Sequence, residues 1–200
     1  LLEISFDYPN PEEDLRKMAE TLHVIIDGRL PADGVPAGVE GILTLEEIVT
    51  RNVEPVPDPE MDTDGNPENV HKDMSYTAYG ALIDGRATSE GYALAFKTFC
   101  QRTGMDCYVI RGRHDGYLHC WNLVLIDGNW YHIDTYRIDI TGSYDSLLKT
   151  DLQMADLGYK WNNASYPASD DPEISLPPVH TEETAAVESQ TGDLDLPAND

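Results

Sequence analysis

Residues 76–136 read YTAYGALIDGRATSEGYALAFKTFCQRTGMDCYVIRGRHDGYLHCWNLVLIDGNWYHIDTY. Local signals divide this stretch into a turn, a helix and three strands. Ser89 is an N-cap residue type, Tyr92, Ala95, Phe96, Phe99 and Cys100 recur on one helical face, and Gly104 stops the run. Alternation and the β-branched and aromatic content predict strands at about 105–111, 118–126 and 130–136. A helix followed by a meander is an α+β arrangement, with helices packed on an antiparallel sheet.

Between the last two strands lies Asp127-Gly128, a strong two-residue hairpin signal. Such a loop fixes the register, so that paired positions sum to 255 and Trp121 faces Asp134. His119 then shares a sheet face with Trp121 and is the diagonal neighbour of Asp134, about 7–8 Å away between backbones. A His–Asp pair is thus predicted by register. A carboxylate behind an imidazole fixes its tautomer and steadies imidazolium, which is half of a nucleophilic triad. A helix N-terminus suits the missing member, because its dipole and free N–H groups favour anions, and Ser89 occupies that place. The backbone N–H of Ser89 is the natural first oxyanion donor, with Tyr79 or Tyr76 as a side-chain second. His119, His132 and Asp134 on one face also admit a metal site, although Cys120 points the other way. His132 reads better as a packed or hydrogen-bonded sheet residue, His114 as part of a solvated turn, and Trp121 and Trp130 as core or cleft wall.

Outside this stretch the sequence says less. The chain has 200 residues, 13 Lys+Arg and 37 Asp+Glu, for a net charge of −24. That charge repels nucleic-acid phosphates and anionic headgroups, which excludes both as partners. No stretch approaches the apolar length of a membrane span. Residues 1–74 carry 18 acids and 5 bases, 75–168 carry 10 and 8, and 169–200 carry 9 and 0. The core is therefore expected in 75–168, with an N-terminal helical and loop region at 1–74 packed on it and an acidic tail or linker at 169–200. A helix is predicted from the acids at 12–14 to Gly28, and a shorter one with Thr44 as N-cap and Glu47 closing a capping box. The loop beyond it contains Asp62, Asp64 and Asn66 around Gly65, but a calcium-loop register would put His71 where a bidentate carboxylate is required. Ile-Asp-Gly at 26–28, 83–85 and 126–128 is read as marking turns. Three cysteines, Cys100, Cys107 and Cys120, show none of the paired CxxC spacing of a zinc site or redox dithiol, and a disulfide scaffold is not expected; no cofactor or resident metal is expected. The first residue is Leu1, and a fragment or processed form is expected.

GRATSEGYALAF at 85–96 resembles the turn, nucleophile and Gly-Tyr-Ala helix start of transglutaminase-like domains of the cysteine-protease superfamily. His119-Cys120-Trp121-Asn122 resembles their His-aromatic-Asn strand, and Trp130-Tyr131-His132-Ile133-Asp134 their Trp-Tyr-His-Val-Asp strand. SLLKTDLQM at 146–154 is similar to the segment that often follows. The resemblance covers about 75–168. It implies a cysteine proteinase-like fold, with His119 as general base, Asp134 as its orienting carboxylate and Ser89 standing where the family has cysteine. Helix-terminus effects of about 0.3–2 kcal/mol equal about 0.2–1.5 pKa units, enough to help a thiol but not to ionise an alcohol. Three readings of Ser89 stay open: a cysteine exchanged to hold an inert form, a natural pseudoenzyme, or a working serine hydrolase. The resemblance implies peptide or protein amide substrates, peptidoglycan peptides among them, on an extracytoplasmic bacterial protein. A peptide-binding module without turnover is the other reading.

Overall fold

The computed structural model describes residues 12–51, 53–60, 73–170 and 174. In chain order these form α1 (Glu12–Arg29), α2 (Gly38–Thr50), β1 (Glu54–Pro55), β2 (Arg86–Ala87), α3 (Ser89–Thr103), β3 (Cys107–His114), β4 (Tyr117–Ile126), β5 (Asn129–Ile133), α4 (Thr135–Thr141), β6 (Leu147–Lys149) and α5 (Asp151–Asp156). Strands β3-β4-β5-β6 form one antiparallel sheet in that order, so the fold is α+β. The acidic loop with Asp62, Asp64 and Asn66, and residues 171–173 and 175–200 of the acidic tail, lie outside the described residues.

Both hairpins turn on Asp-Gly. Asp115-Gly116 and Asp127-Gly128 all have positive φ, the geometry that matches the twist of tightly paired strands. Asn122 pairs with Ile133 and Leu123 with His132, as the two-residue loop requires. The third strand is shorter than predicted. It ends at Ile133, because Asp134 caps α4, its Oδ1 accepting from the Arg137 N–H at 3.0 Å.

Helix α3 covers the sheet face that carries Cys120, Asn122 and Val124, and Asn122 Nδ2 donates to the Ala93 carbonyl at 2.9 Å. Its N-cap is Thr88 rather than Ser89, which is the first helical residue, and Gly104 ends it at φ 78°. Gly91 fits where no side chain would. A Cβ there would lie 2.3 Å from the Ser75 carbonyl oxygen and 2.8 Å from Ala87 Cβ.

The main core reaches beyond 75–168: Ile26 of α1 and Ile42, Leu45 and Val49 of α2 pack with Phe96 and Phe99. Helix α2 starts earlier than predicted because its apolar face extends upstream to Val39. Thr44 sits mid-helix with Oγ1 donating to the Glu40 carbonyl, so it caps nothing. Ile26-Asp27-Gly28 likewise lies within α1 rather than in a turn. On the other sheet face Ile110, Trp121 and Leu123 pack with Met154 and Tyr159.

Residues 53–60 cross from one element to another as an extended strap. Pro55, Pro57 and Pro59 remove every second backbone donor, which forbids helix and leaves the intervening N–H groups for pairing. β1 runs parallel to β2, Val56 N donates to the Ala87 carbonyl, and Leu118 N donates to the Pro59 carbonyl at 3.3 Å. The strap is thus fixed beside the start of α3 at one end and beside β4 at the other.

Candidate active site

His119 is the centre of the site. Its ring is stacked beside the buried Trp121 and lies close to Tyr136 and Tyr159. Nε2 lies 2.6 Å from Asp134 Oδ2, so the register-derived pair is present in the structure. Asp134 is fully buried and also accepts from the Tyr159 hydroxyl at 2.7 Å and from Arg137 N.

The second ring nitrogen meets a residue that the sequence reading missed. Nδ1 lies 2.6 Å from Oδ2 of Asp58, on the strap. The other oxygen of that carboxylate, Oδ1, accepts from Ser89 N at 3.0 Å and from Ser89 Oγ at 2.8 Å. Ser89 Oγ in turn accepts from the Cys120 N–H at 3.0 Å. The three residues singled out from sequence are therefore brought together, but Ser89 reaches His119 through Asp58 rather than directly. Asp58 also does what Thr88 does not: it accepts from the first turn of α3, whose N-cap side chain bonds the Ser75 carbonyl instead. The Pro-x-Pro-x-Pro pattern around Asp58 signals extended chain, but nothing local says which surface it crosses.

A neutral imidazole has one N–H, and two carboxylates at 2.6 Å require two. His119 is therefore imidazolium. Burial opposes the charge, yet the Asp134 carboxylate, then Asp58, outweigh it and push the ring up to about 10. Burial would raise Asp134, but its bonds to His119, Tyr159 and Arg137 hold it below the ordinary carboxylate range. A ring already carrying both protons cannot take one from Ser89.

The neighbouring histidine behaves oppositely. His132 Nδ1 accepts from Trp121 Nε1 at 2.9 Å, leaving Nε2–H for Asp151 Oδ1 at 2.7 Å. Burial dominates and lowers it, so it is a neutral, hydrogen-bonded sheet residue. His114, read from sequence as part of a solvated turn, is buried: its ring packs on Tyr159 at 4.2 Å between centroids. The β3–β4 turn points outward only from Asp115. Among the described residues no cluster of three or more His, Cys, Asp or Glu is arranged to hold a metal ion.

Two cavities open on either side of the Asp58–His119 contact. One, about 110 Å³, is lined by Asp58, Tyr76, Ser89, Arg111, His119 and Cys120. The other, about 230 Å³, is lined by Asp58, His114, Tyr117, His119, Tyr136 and Arg137. Tyr76 thus faces the Ser89 side, whereas Tyr79, named first from sequence as an oxyanion donor, does not line that cavity. Ser89 N, the expected first donor, is already taken by Asp58.

No family model matches the sequence, and no curated protein does. Part of the chain is similar to several solved structures. A TGase aligns with TM-score 0.49 and 14% identity over 64% of this chain and 34% of its own. A candidate cysteine protease from Cytophaga hutchinsonii aligns with TM-score 0.45 and 11% identity over 64% of this chain and 44% of its own. Menin, in a structure showing its binding site for Mixed Lineage Leukemia (MLL) protein, aligns with TM-score 0.38 and 18% identity over 62% and 26%. The chain therefore spans well under two thirds of each.

Proposed function

We propose that this is a transglutaminase-like domain, of an extracytoplasmic protein, whose cleft takes peptide or protein amide groups and in which acyl transfer or hydrolysis is absent or weak. The reading puts Ser89 in the nucleophile's place, His119 as the triad imidazole and Asp134 as its orienting carboxylate. Its support is the sequence motifs at 85–96, 119–122 and 130–134 together with the His119–Asp134 bond. The observation that carries the inactivity is the position of Asp58 between Ser89 and His119. With both ring nitrogens protonated, the remaining group placed to accept the Ser89 proton is a carboxylate, far too weak a base for an alcohol. The same contact favours, as a second reading, a peptide- or cell-wall-binding module that has kept the cleft and lost the chemistry.

Restoring the thiol tests the reading. In Ser89→Cys the new sulfur faces the Asp58 carboxylate, which disfavours thiolate. In Ser89→Cys/Asp58→Ala it faces the helix N-terminus and imidazolium, which lower a thiol from about 8.5 into the range of about 3.5–7.5. Alkylation of position 89 by iodoacetamide at about pH 5.5, followed by peptide mass mapping to separate it from the native cysteines, should be at least about tenfold faster in the double variant. Adding His119→Ala should abolish the gain. Equal rates with and without His119 would remove the triad reading. Turnover of a peptide amide by the double variant distinguishes the enzyme from the binding module.

A further inference from the structure

Asp58 is held more specifically than a cap or a surface ion pair requires. Three donors converge on it: Ser89 N–H and Ser89 Oγ–H on one oxygen, and the Nδ1–H of His119 on the other. Its side chain is 7% exposed and that of His119 is 3% exposed. One oxygen of this carboxylate takes the backbone N–H and the hydroxyl of Ser89 and the other takes the imidazole, a set of converging donors that matches both oxygens of a carboxylate group. The residue filling this place comes from the strap, 31 residues before Ser89 in the chain.

We infer that the cleft is a carboxylate-binding site whose resident ligand is the chain's own Asp58. The inference rests on these bonds and not on any acyl chemistry at Ser89, so it can fail while the alkylation experiment succeeds, and the reverse. The two cavities that share Asp58 and His119 give a carboxylate-bearing chain space on both sides of the filled position. Because the strap is tied at both ends, Asp58 competes with external anions at the high effective concentration of a tethered group. The intact protein is therefore self-occupied.

Acetate is the probe. Asp58→Ala removes the occupant while leaving the donors, and His119 keeps Asp134 as counter-ion. Asp58→Asn keeps the place filled by an uncharged group of the same shape. Each is titrated with sodium acetate against sodium chloride at equal ionic strength, following the His119 ring resonances and the thermal midpoint. Asp58→Ala should show saturable acetate binding with a dissociation constant of about 0.1–10 mM, within reach of a four-heavy-atom ligand. Wild type and Asp58→Asn should show none, and Asp58→Ala/His119→Ala should lose it. Asp58→Ser, which leaves most of the space open, is measured in parallel and should bind likewise if Asp58→Ala does not fold. Absence of saturable binding in a folded Asp58→Ala or Asp58→Ser variant overturns the inference. So does equal binding by wild type, binding that persists without His119, or failure of both variants to fold in saturating acetate.

Discussion

His119 and His132 share a sheet face and a protein interior yet hold different numbers of protons, and their partners decide it. His132 has an indole donor on one nitrogen, so it must keep a lone pair there. His119 has a carboxylate on each nitrogen and can keep none. The consequence is a pH dependence of stability. His119 is raised from 6.5 in the unfolded chain to about 10, so its contribution is complete below about pH 6.5 and disappears as pH rises through about 10. Asp134 is lowered, so its contribution is complete above its unfolded value near 4 and is lost as acid protonates the folded carboxylate. Urea unfolding between pH 7 and 9.5 should show wild-type stability falling by up to about 1.4 kcal/mol per pH unit, with a flatter slope in His119→Gln. Parallel slopes would mean that the ring is not doubly protonated. The Asp134 half of this ion pair was legible in the sequence, because a two-residue turn sets which side chains adjoin. The Asp58 half was not, since that contact joins positions 61 residues apart and no pattern near Asp58 names its partner.

At the scale of elements, the helix and the sheet were readable because their signals are local: one apolar face, one stop glycine and the Asp127-Gly128 turn. Two end contacts shape these elements, one local and one tertiary. Asp134 left the strand to cap α4, and Thr88 gave its capping duty to Asp58. Gly91 shows how closely α3 is seated. Gly91→Ala would push a methyl against the Ser75 carbonyl, backbone that cannot swing aside, and should cost about 1–3 kcal/mol or more in chemical denaturation. Gly28→Ala in α1 meets nothing within 4 Å and should instead gain about 0.5–1 kcal/mol from helix propensity. A second pH-sensitive element is α2, where burial raises Glu46 to about 7. Its folded form holds a proton that the unfolded chain releases near 4.5, so stability falls as pH rises from about 4.5 to 7. Glu46→Gln should flatten that interval and leave the decline above pH 7 in place, which assigns the two windows to two residues.

For the whole molecule, composition marks 75–168 as the neutral, aromatic-rich segment, and the packing shows what that segment takes from outside. Residues 75–168 contain α3, the sheet and three members of the site, yet the core they form is closed by Ile26, Ile42, Leu45 and Val49, and the fourth member, Asp58, arrives on the strap. The charge contrast between segments is a surface property. It says how acidic each segment is and nothing about which apolar stripes of the acidic ones turn inward. Burying an aliphatic side chain of this kind contributes about 1.5–3 kcal/mol, so four together approach the entire net stability of about 5–15 kcal/mol of an ordinary domain. A fragment beginning at residue 75 should therefore lack a cooperative thermal transition and expose apolar surface to a hydrophobic dye. The full chain should show the transition together with dispersed His119 ring resonances. A cooperative 75–168 fragment with those resonances unchanged would show that the two N-terminal helices and the strap decorate the site rather than build it.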